Sequence, residues 1–163
     1  MIRLIKPLEN KSDYNRLTDL FLRCLEDNES FKFLSYSLIK FDKETIENFT
    51  KSHKEQGIFY IIQETNKIFY GVLAYKKNKI QGFELFLLAV DKGHQKKGIG
   101  QSLIDKCIKT AKTENYESMD TFVFADNKKM LRLLIKNDFM PIDIQFHARA
   151  DGMDLIKLRK YIE

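Results

Sequence analysis

Glu84 is the one acidic residue in an otherwise apolar run, Phe83-Glu-Leu-Phe-Leu-Leu-Ala-Val90, and a loop of glycines and lysines follows directly, Asp91-Lys-Gly-His-Gln-Lys-Lys-Gly-Ile-Gly100. Two chemistries come with these residue types. A carboxylate among apolar neighbours has its charged form disfavoured, so its pKa rises toward the range in which it can take a proton from an ammonium group, directly or through water. Period-two alternation puts Glu84 on one strand face with Phe86, Leu88 and Val90. A solvated carboxylate near the start of the strand is the plainer alternative. The loop offers the second chemistry. An amphipathic helix opens directly after it, and backbone N–H groups there have no helical partner. Together with the positive end of the helix dipole they form a site for a phosphate or pyrophosphate.

Three phosphate loops can be tested against these residues. A Walker A loop needs Ser or Thr after Gly-Lys, but Gly93 to Gly98 is followed by Ile99, so the magnesium-binding hydroxyl is missing. A dinucleotide fingerprint needs a third glycine, and Leu103 stands in its place. A kinase loop lacks its catalytic-loop and metal-binding motifs downstream. What remains, Gln95-Lys96-Lys97-Gly98-Ile99-Gly100, resembles the Gln/Arg-x-x-Gly-x-Gly/Ala motif of the GNAT superfamily of acyl-CoA N-acetyltransferases. A second stretch, Asn127-Lys-Lys-Met-Leu-Arg-Leu-Leu-Ile-Lys-Asn-Asp-Phe139, is similar to the family's Asn-x-x-Ala-x-x-Leu-Tyr-x-x-x-Gly-Phe segment, with Asn127, Leu133 and Phe139 in register. Two motifs in the right order are far more specific than either alone. The resemblance covers residues 58 to 147, and the flanks by pattern only.

The resemblance implies acetyl-CoA as co-substrate and transfer of its acetyl group to a primary amine in a ternary complex. The backbone of Leu88, Ala89 and Val90 would hold the pantetheine arm, where a bulge splays the strand from its neighbour, and an N–H there would polarise the thioester carbonyl. Gln95, Lys96, Lys97, Gly98, Ile99, Gly100 and Gln101 would take the pyrophosphate, and Asn127 would touch the cofactor from the other side. Glu84 would be the catalytic base. Many members carry Tyr where Leu134 stands, and leucine cannot donate a proton. Tyr36 and His147 are substitutes by residue type only, and a lone strand histidine is more often structural. A catalytically weak or inactive acyl-CoA-binding module of the same fold is therefore the alternative. Asp138 stands where the family prefers Gly, so that turn calls for a left-handed Asp. The family's acceptor wall would contain Glu26, Asp27 and Glu29 before Phe31, Phe33 and Tyr36. Acids beside aromatics suit a cationic amine, although a solvated helix end followed by core aromatics accounts for the same residues.

The elements that must position these residues follow from size and periodicity. A chain of 163 residues, 44% hydrophobic and 31% charged, reads as one soluble domain over 1–163, burying roughly 70% of its unfolded surface. Cys24 and Cys107 stand far apart with no Cys/His cluster, which points to a reducing, cytoplasmic setting and to no metal. No run has signal-peptide or membrane-span length. The net charge of +5 invites a nucleic-acid partner, but no recognition motif accompanies it. Lysine clusters at 92–112 and 128–136 suit a polyanionic cofactor instead, while solvated helix faces would look the same. The expected partner is an amine of unspecified identity, with no nucleic acid and no membrane, and a homodimer is left open.

Along the chain we expect a strand at 2–8 and a helix capped by Ser12 or Asp13 with Leu17, Leu20, Phe21 and Cys24 inward. A loop or short helix over 30–41 leads to a helix capped by Asp42. Strands at 58–64, 68–76 and 80–90 form an antiparallel meander. A helix from Ile99 has Leu103, Ile104, Cys107 and Ala111 on one face. Strand 119–125, helix 127–137 and strands near 139–148 and 152–161 complete an α/β (α+β) fold. Its mixed, mostly antiparallel sheet has about seven strands, flanked by about four helices.

Overall fold

A computed structural model describes residues 1–5, 10–27 and 29–163. In chain order the elements are β1 (Ile2–Ile5), α1 (Lys11–Leu25), a 3-10 turn at Ser30–Phe33, α2 (Lys43–Glu55), β2 (Phe59–Thr65), β3 (Ile68–Asn78), β4 (Gly82–Val90), a second 3-10 turn at Lys92–His94, α3 (Ile99–Thr113), β5 (Ser118–Phe124), α4 (Lys128–Lys136), β6 (Met140–Gln145) and β7 (Leu155–Tyr161). The strands form one seven-stranded sheet in the order β1-β2-β3-β4-β5-β7-β6. Every neighbouring pair is antiparallel except β4 and β5, which run parallel because α3 carries the chain across between them.

Each face of the sheet buries its own apolar cluster. Leu73, Tyr75, Phe83 and Leu85 meet Leu103, Ile104 and Cys107 of α3 and Leu134 of α4 on one side. Ile62, Val72, Ala74 and Leu87 meet Leu17, Leu20 and Phe21 of α1 and Ile46 of α2 on the other. Side chains that alternate to opposite faces of a strand explain why β3 contributes Leu73 and Tyr75 to one cluster and Val72 and Ala74 to the other. The α3 stripe expected from sequence is buried at Leu103, Ile104, Cys107 and Ala111. Helix α3 lies close on β3 because Gly71 has no side chain. A Cβ there would stand 2.7 Å from Ile99 Cγ2 and 3.1 Å from Leu103 Cδ1.

Several boundaries differ from expectation. Helix α1 is capped by Asn10, whose Oδ1 accepts the Ser12 N–H at 2.8 Å. Asp13 is instead buried, bonded to Arg3 Nη2 of β1 at 3.0 Å and to Arg16 Nη2 one turn along the same helix at 2.6 Å, so its carboxylate is spent on these pairs. Strand β4 starts at Gly82 and not Ile80. Asn78 Oδ1 accepts the N–H groups of Ile80 and Gln81, an Asx turn that leaves Ile80 95% exposed. The last two strands are shorter, ending at Gln145 and starting at Leu155, with a loop tied by Arg149 between them. The expected end of β1, at Leu8, lies outside the described residues.

Candidate active site

Strands β4 and β5 pair over three residues only, Phe83 to Leu85 against Met119 to Thr121. The end of that pairing coincides with a bulge. On β3, Ala74 lies opposite Leu87 and the next residue, Tyr75, opposite Leu85, so Phe86 has no partner. An extra residue bends and twists its strand, and β4 runs on to Val90 beside β3 alone while β5 stays with β7. A wedge opens between them. Leu88, Ala89 and Val90 lie along its β4 edge, past the last β4–β5 pair.

The bulge also corrects the face expected of Glu84. Phe86 and Leu87 both fall on the α1/α2 side, whereas Leu88 returns to the α3/α4 side, where it packs against that cluster. Glu84 therefore shares a groove with Phe86 and Leu87 and turns away from Leu88. Strict alternation fails here because one unpaired residue shifts the parity of everything after it.

Glu84 is half-buried and its pKa is raised, first by burial and then by Asp120, against the opposing pull of Lys76 and Lys157. It lies opposite Lys76 on β3 and Asp120 on β5. Neither becomes its partner. Asp120 accepts a bidentate pair from Arg159, at 2.7 and 2.9 Å, and Lys157 at 3.0 Å. The Lys76 ammonium sits over the Phe86 ring, 4.3 Å from its centroid. Among the described residues Glu84 makes no hydrogen bond and no ion pair, which leaves a carboxylate in an apolar groove ready for a cation or a proton.

That groove encloses about 300 Å³ and takes its walls from distant segments: Phe33 and Tyr36, Phe49 of α2, Phe86 of β4, and Phe122 and Phe124 of β5. The Tyr36 ring packs edge-on to Phe124 at 5.1 Å, and burial, then the Glu84 charge, raises its pKa. Arg149 fixes this wall. Fully buried, it bonds both carboxylate oxygens of Asp126 and of Asp151, donates to the Lys32 carbonyl at 3.1 Å and lies over the Phe124 ring at 4.9 Å. Its side chain thus ties the loop before β7 to the 3-10 turn and to the end of β5. No spacing in the sequence marks Arg149, Phe122 or Phe124 for this role.

The glycine loop lies at the other end of β4. Asp91 anchors it by receiving Arg23 Nε at 3.0 Å and by donating its own N–H to the Tyr70 carbonyl, and Lys92 pairs with Asp27 at 2.6 Å. Gln95 folds its amide back to the Val90 carbonyl at 3.1 Å, and Lys97 donates to the Gly93 carbonyl at 2.9 Å. Lys96 and Gly98 both have left-handed backbones, φ +60° and +77°, and Gly98 is the N-cap of α3. Among the described residues the N–H groups from Lys96 to Gln101 have no acceptor. At the start of a 15-residue helix they make an anion cradle of backbone. A Cβ at Gly100 would come within 3.3 Å of Leu133 Cδ2, so glycine there keeps α3 and α4 close. The Gln101 side chain is already used, exchanging hydrogen bonds with Asn137 at 2.7 and 3.1 Å.

Other expected residues have structural duties. Asn127 caps α4 by accepting the Met130 N–H at 3.2 Å. Leu134 is fully buried in the α3/α4 cluster with Phe139. Asp138 takes the left-handed conformation expected of it, φ +63°. His147 is exposed, its N–H bonded to Asp154 and its Nδ1 3.3 Å from the Gly152 carbonyl, away from the groove residues. Of the acidic stretch before the first 3-10 turn, none lines the groove. Asp27 is held by Ser30 and Lys92, and Glu29 by Lys32. Phe31 is core, whereas Phe33 and Tyr36 do reach the groove.

The sequence model of the acetyltransferase (GNAT) family matches residues 14–139. No curated protein matches the sequence at a significant level. Solved structures do. An N-acetyltransferase from Staphylococcus aureus Mu50 superposes with a TM-score of 0.77 at 16% identity, covering 100% of this chain and 98% of that one. The putative acetyltransferase yncA from Salmonella typhimurium, solved with its cofactor acetyl-CoA, gives 0.75 at 16% identity, covering 100% and 94%. The ribosomal-protein-S18-alanine N-acetyltransferase from Escherichia coli gives 0.73 at 17% identity, covering 100% and 95%. At such identities the likeness is one of fold.

Proposed function

The chain belongs to the GNAT acetyltransferase family, and from that premise we propose that it transfers an acetyl group from acetyl-CoA to a primary amine by direct attack in a ternary complex. The observation that carries this reading is the pairing of an unpartnered Glu84 carboxylate with an unbonded backbone cradle at opposite ends of one splayed strand. Acetyl-CoA supplies the activated thioester. The free N–H groups from Lys96 to Gln101 fit its pyrophosphate, with exposed Lys96 and Lys97 adding charge. The open β4 edge at Leu88, Ala89 and Val90 fits the pantetheine, and Asn127 flanks it from α4. Glu84 takes the proton from the substrate ammonium, and its raised pKa matches that task; the neutral amine attacks the thioester carbonyl, the C–S bond breaks as the C–N bond forms, and the CoA thiolate leaves and takes a proton from water. Release of CoA thiol on mixing the protein with acetyl-CoA and an amine panel tests the reading. Binding of acetyl-CoA without turnover of any amine would overturn it.

Leu134 favours a second reading, an acyl-CoA-binding module of low activity, because a fully buried leucine offers no proton to a departing thiolate. The same assay separates the two. We assign the chain to one domain in the cytoplasm, supported by two buried free cysteines. No helix among the described residues is long and apolar enough to cross a membrane.

A further inference from the structure

We infer that the acceptor is a small primary amine with an apolar, aromatic-sized body and no second charge, its ammonium at Glu84 and its body between Tyr36, Phe86, Phe122 and Phe124. This rests on the acetyl-transfer reading and narrows its substrate class. Four features of the groove carry it.

Its volume, about 300 Å³, stands at the small end of the ~300–1,000 Å³ range of ligand sites. Its walls are apolar and mostly aromatic, which favours ring stacking and edge contacts with a flat body. Glu84 is the one charged side chain that lines it among the described residues. The nearby carboxylates are already engaged, Asp120 by Arg159 and Lys157, Asp126 and Asp151 by Arg149. A diamine or basic peptide would bring a second cation with no free acid to meet it. The cations that flank the groove, Lys76 over Phe86 and Lys157 over Phe122, would repel that cation as well. An amino acid would bring its own carboxylate close to Glu84, since it sits one carbon from the amine. Arg149 holds the Tyr36 and Phe124 side in place through the Lys32 carbonyl and the Phe124 ring, so the walls are preformed.

The experiment compares phenethylamine with 1,4-diaminobutane, phenylalanine and an alanine-initiated basic peptide. It uses kcat/KM for acetylation and, apart from turnover, calorimetric titration of each amine into the full-length protein with and without CoA. The expected result is a preference of at least about tenfold for phenethylamine. Phe122 is half-exposed and replaceable without opening the core. Phe122→Ser should weaken phenethylamine about tenfold at unchanged acetyl-CoA affinity, and Phe122→Glu should move the preference toward the diamine. Phenethylamine that binds best while no amine is acetylated would leave the groove assignment standing and refute acetyl transfer. Turnover of the diamine, phenylalanine or the peptide that equals or exceeds that of phenethylamine would refute this inference and leave acetyl transfer standing. Failure of phenethylamine to bind would also refute the inference.

Discussion

At the α3 end of β4 the chain presents backbone to solvent, whereas in the wedge beside β5 it presents side chains. The cradle is made of unbonded N–H groups from Lys96 to Gln101, and its residues are neighbours in sequence. The groove is made of rings from four separate segments around one carboxylate, held in place by Arg149 from a fifth. A site of backbone can serve any chain that folds the same way, since it asks only for glycines where φ is positive or space is short. A site of side chains is specific to this chain. The first half should therefore fail when backbone geometry is changed, and the second when a single functional group is removed.

The largest effect expected is on the groove side. Glu84→Gln keeps shape and removes the base, and kcat near neutral pH should fall by roughly a hundredfold or more while acetyl-CoA affinity holds. Steady-state rates beside calorimetry of acetyl-CoA measure both, and equal rates across pH would return Glu84 to a solvated role. The counterpart on the cradle side is Gly98→Val. A Cβ at Gly98 meets no atom within 4 Å, so the fold has room for it. Its φ of +77° nevertheless strains a β-branched residue, at a cost of roughly 1–2 kcal/mol, and the side chain would crowd the amides. Acetyl-CoA affinity should drop about tenfold or more with the amine KM little changed. Unaltered affinity in a folded variant would place the pyrophosphate elsewhere.

The same division governs how much could be read from the sequence. The cradle was legible because its parts are contiguous: glycine spacing, a strand before, a helical stripe after. Most of the order of elements along the chain, and the helix count, followed from periodicity, whereas the order of strands in the sheet did not. The groove was legible at Glu84, whose isolation in an apolar strand is visible locally, and, through the family resemblance, at Phe33 and Tyr36. Its orientation was not, because the bulge at Phe86 depends on how β3 pairs with β4, and pairing is a relation between two strands. The α1 cap shows the same limit. Asn10, Ser12 and Asp13 are all good caps, and only the approach of Arg3 from β1, joined by Arg16 one turn along the helix, decides that Asp13 is used elsewhere. Arg149 sits in a turn with no motif, and its worth comes entirely from Asp126, Asp151 and Lys32 being brought to it.

Arg149 also supplies a graded test of the side-chain half. Removing one partner of a buried ion pair costs about 3–5 kcal/mol when the other is left stranded. Here the stranded carboxylates, Asp126 and Asp151, retain 30% and 38% exposure and can take up water. Arg149→Met, which preserves some contact with Phe124, should therefore lose only about 1–3 kcal/mol of stability. The amine KM should rise several-fold as the 3-10 turn loosens, with acetyl-CoA affinity unmoved. Denaturant titration and the two affinities measure this. A loss of acetyl-CoA binding equal to that of amine binding would show that the two halves are mechanically one site.

The smallest effect expected concerns stability alone and has the opposite sign from the loss of rate. Burial raises the pKa of Glu84 in the folded protein above its ordinary value of 4.5. The folded state therefore holds this proton more tightly than the unfolded chain does. Its contribution to stability is fully present below the unfolded pKa and is lost as pH rises through the folded one. Above its folded pKa Glu84 is an ionised carboxylate with no bonded partner among the described residues, the condition that suits it to take a proton from an ammonium. Glu84→Gln relieves that burden. The variant should be slightly more stable than the parent above the folded pKa of Glu84, with the difference shrinking as the pH falls from there toward 4.5 and gone below it. Thermal unfolding of both proteins from pH 4 to pH 8 measures it. A Gln variant no more stable than the parent at neutral pH would mean that the Glu84 charge is already compensated in the groove, and the case for an unpartnered base would fall even if the rate prediction held.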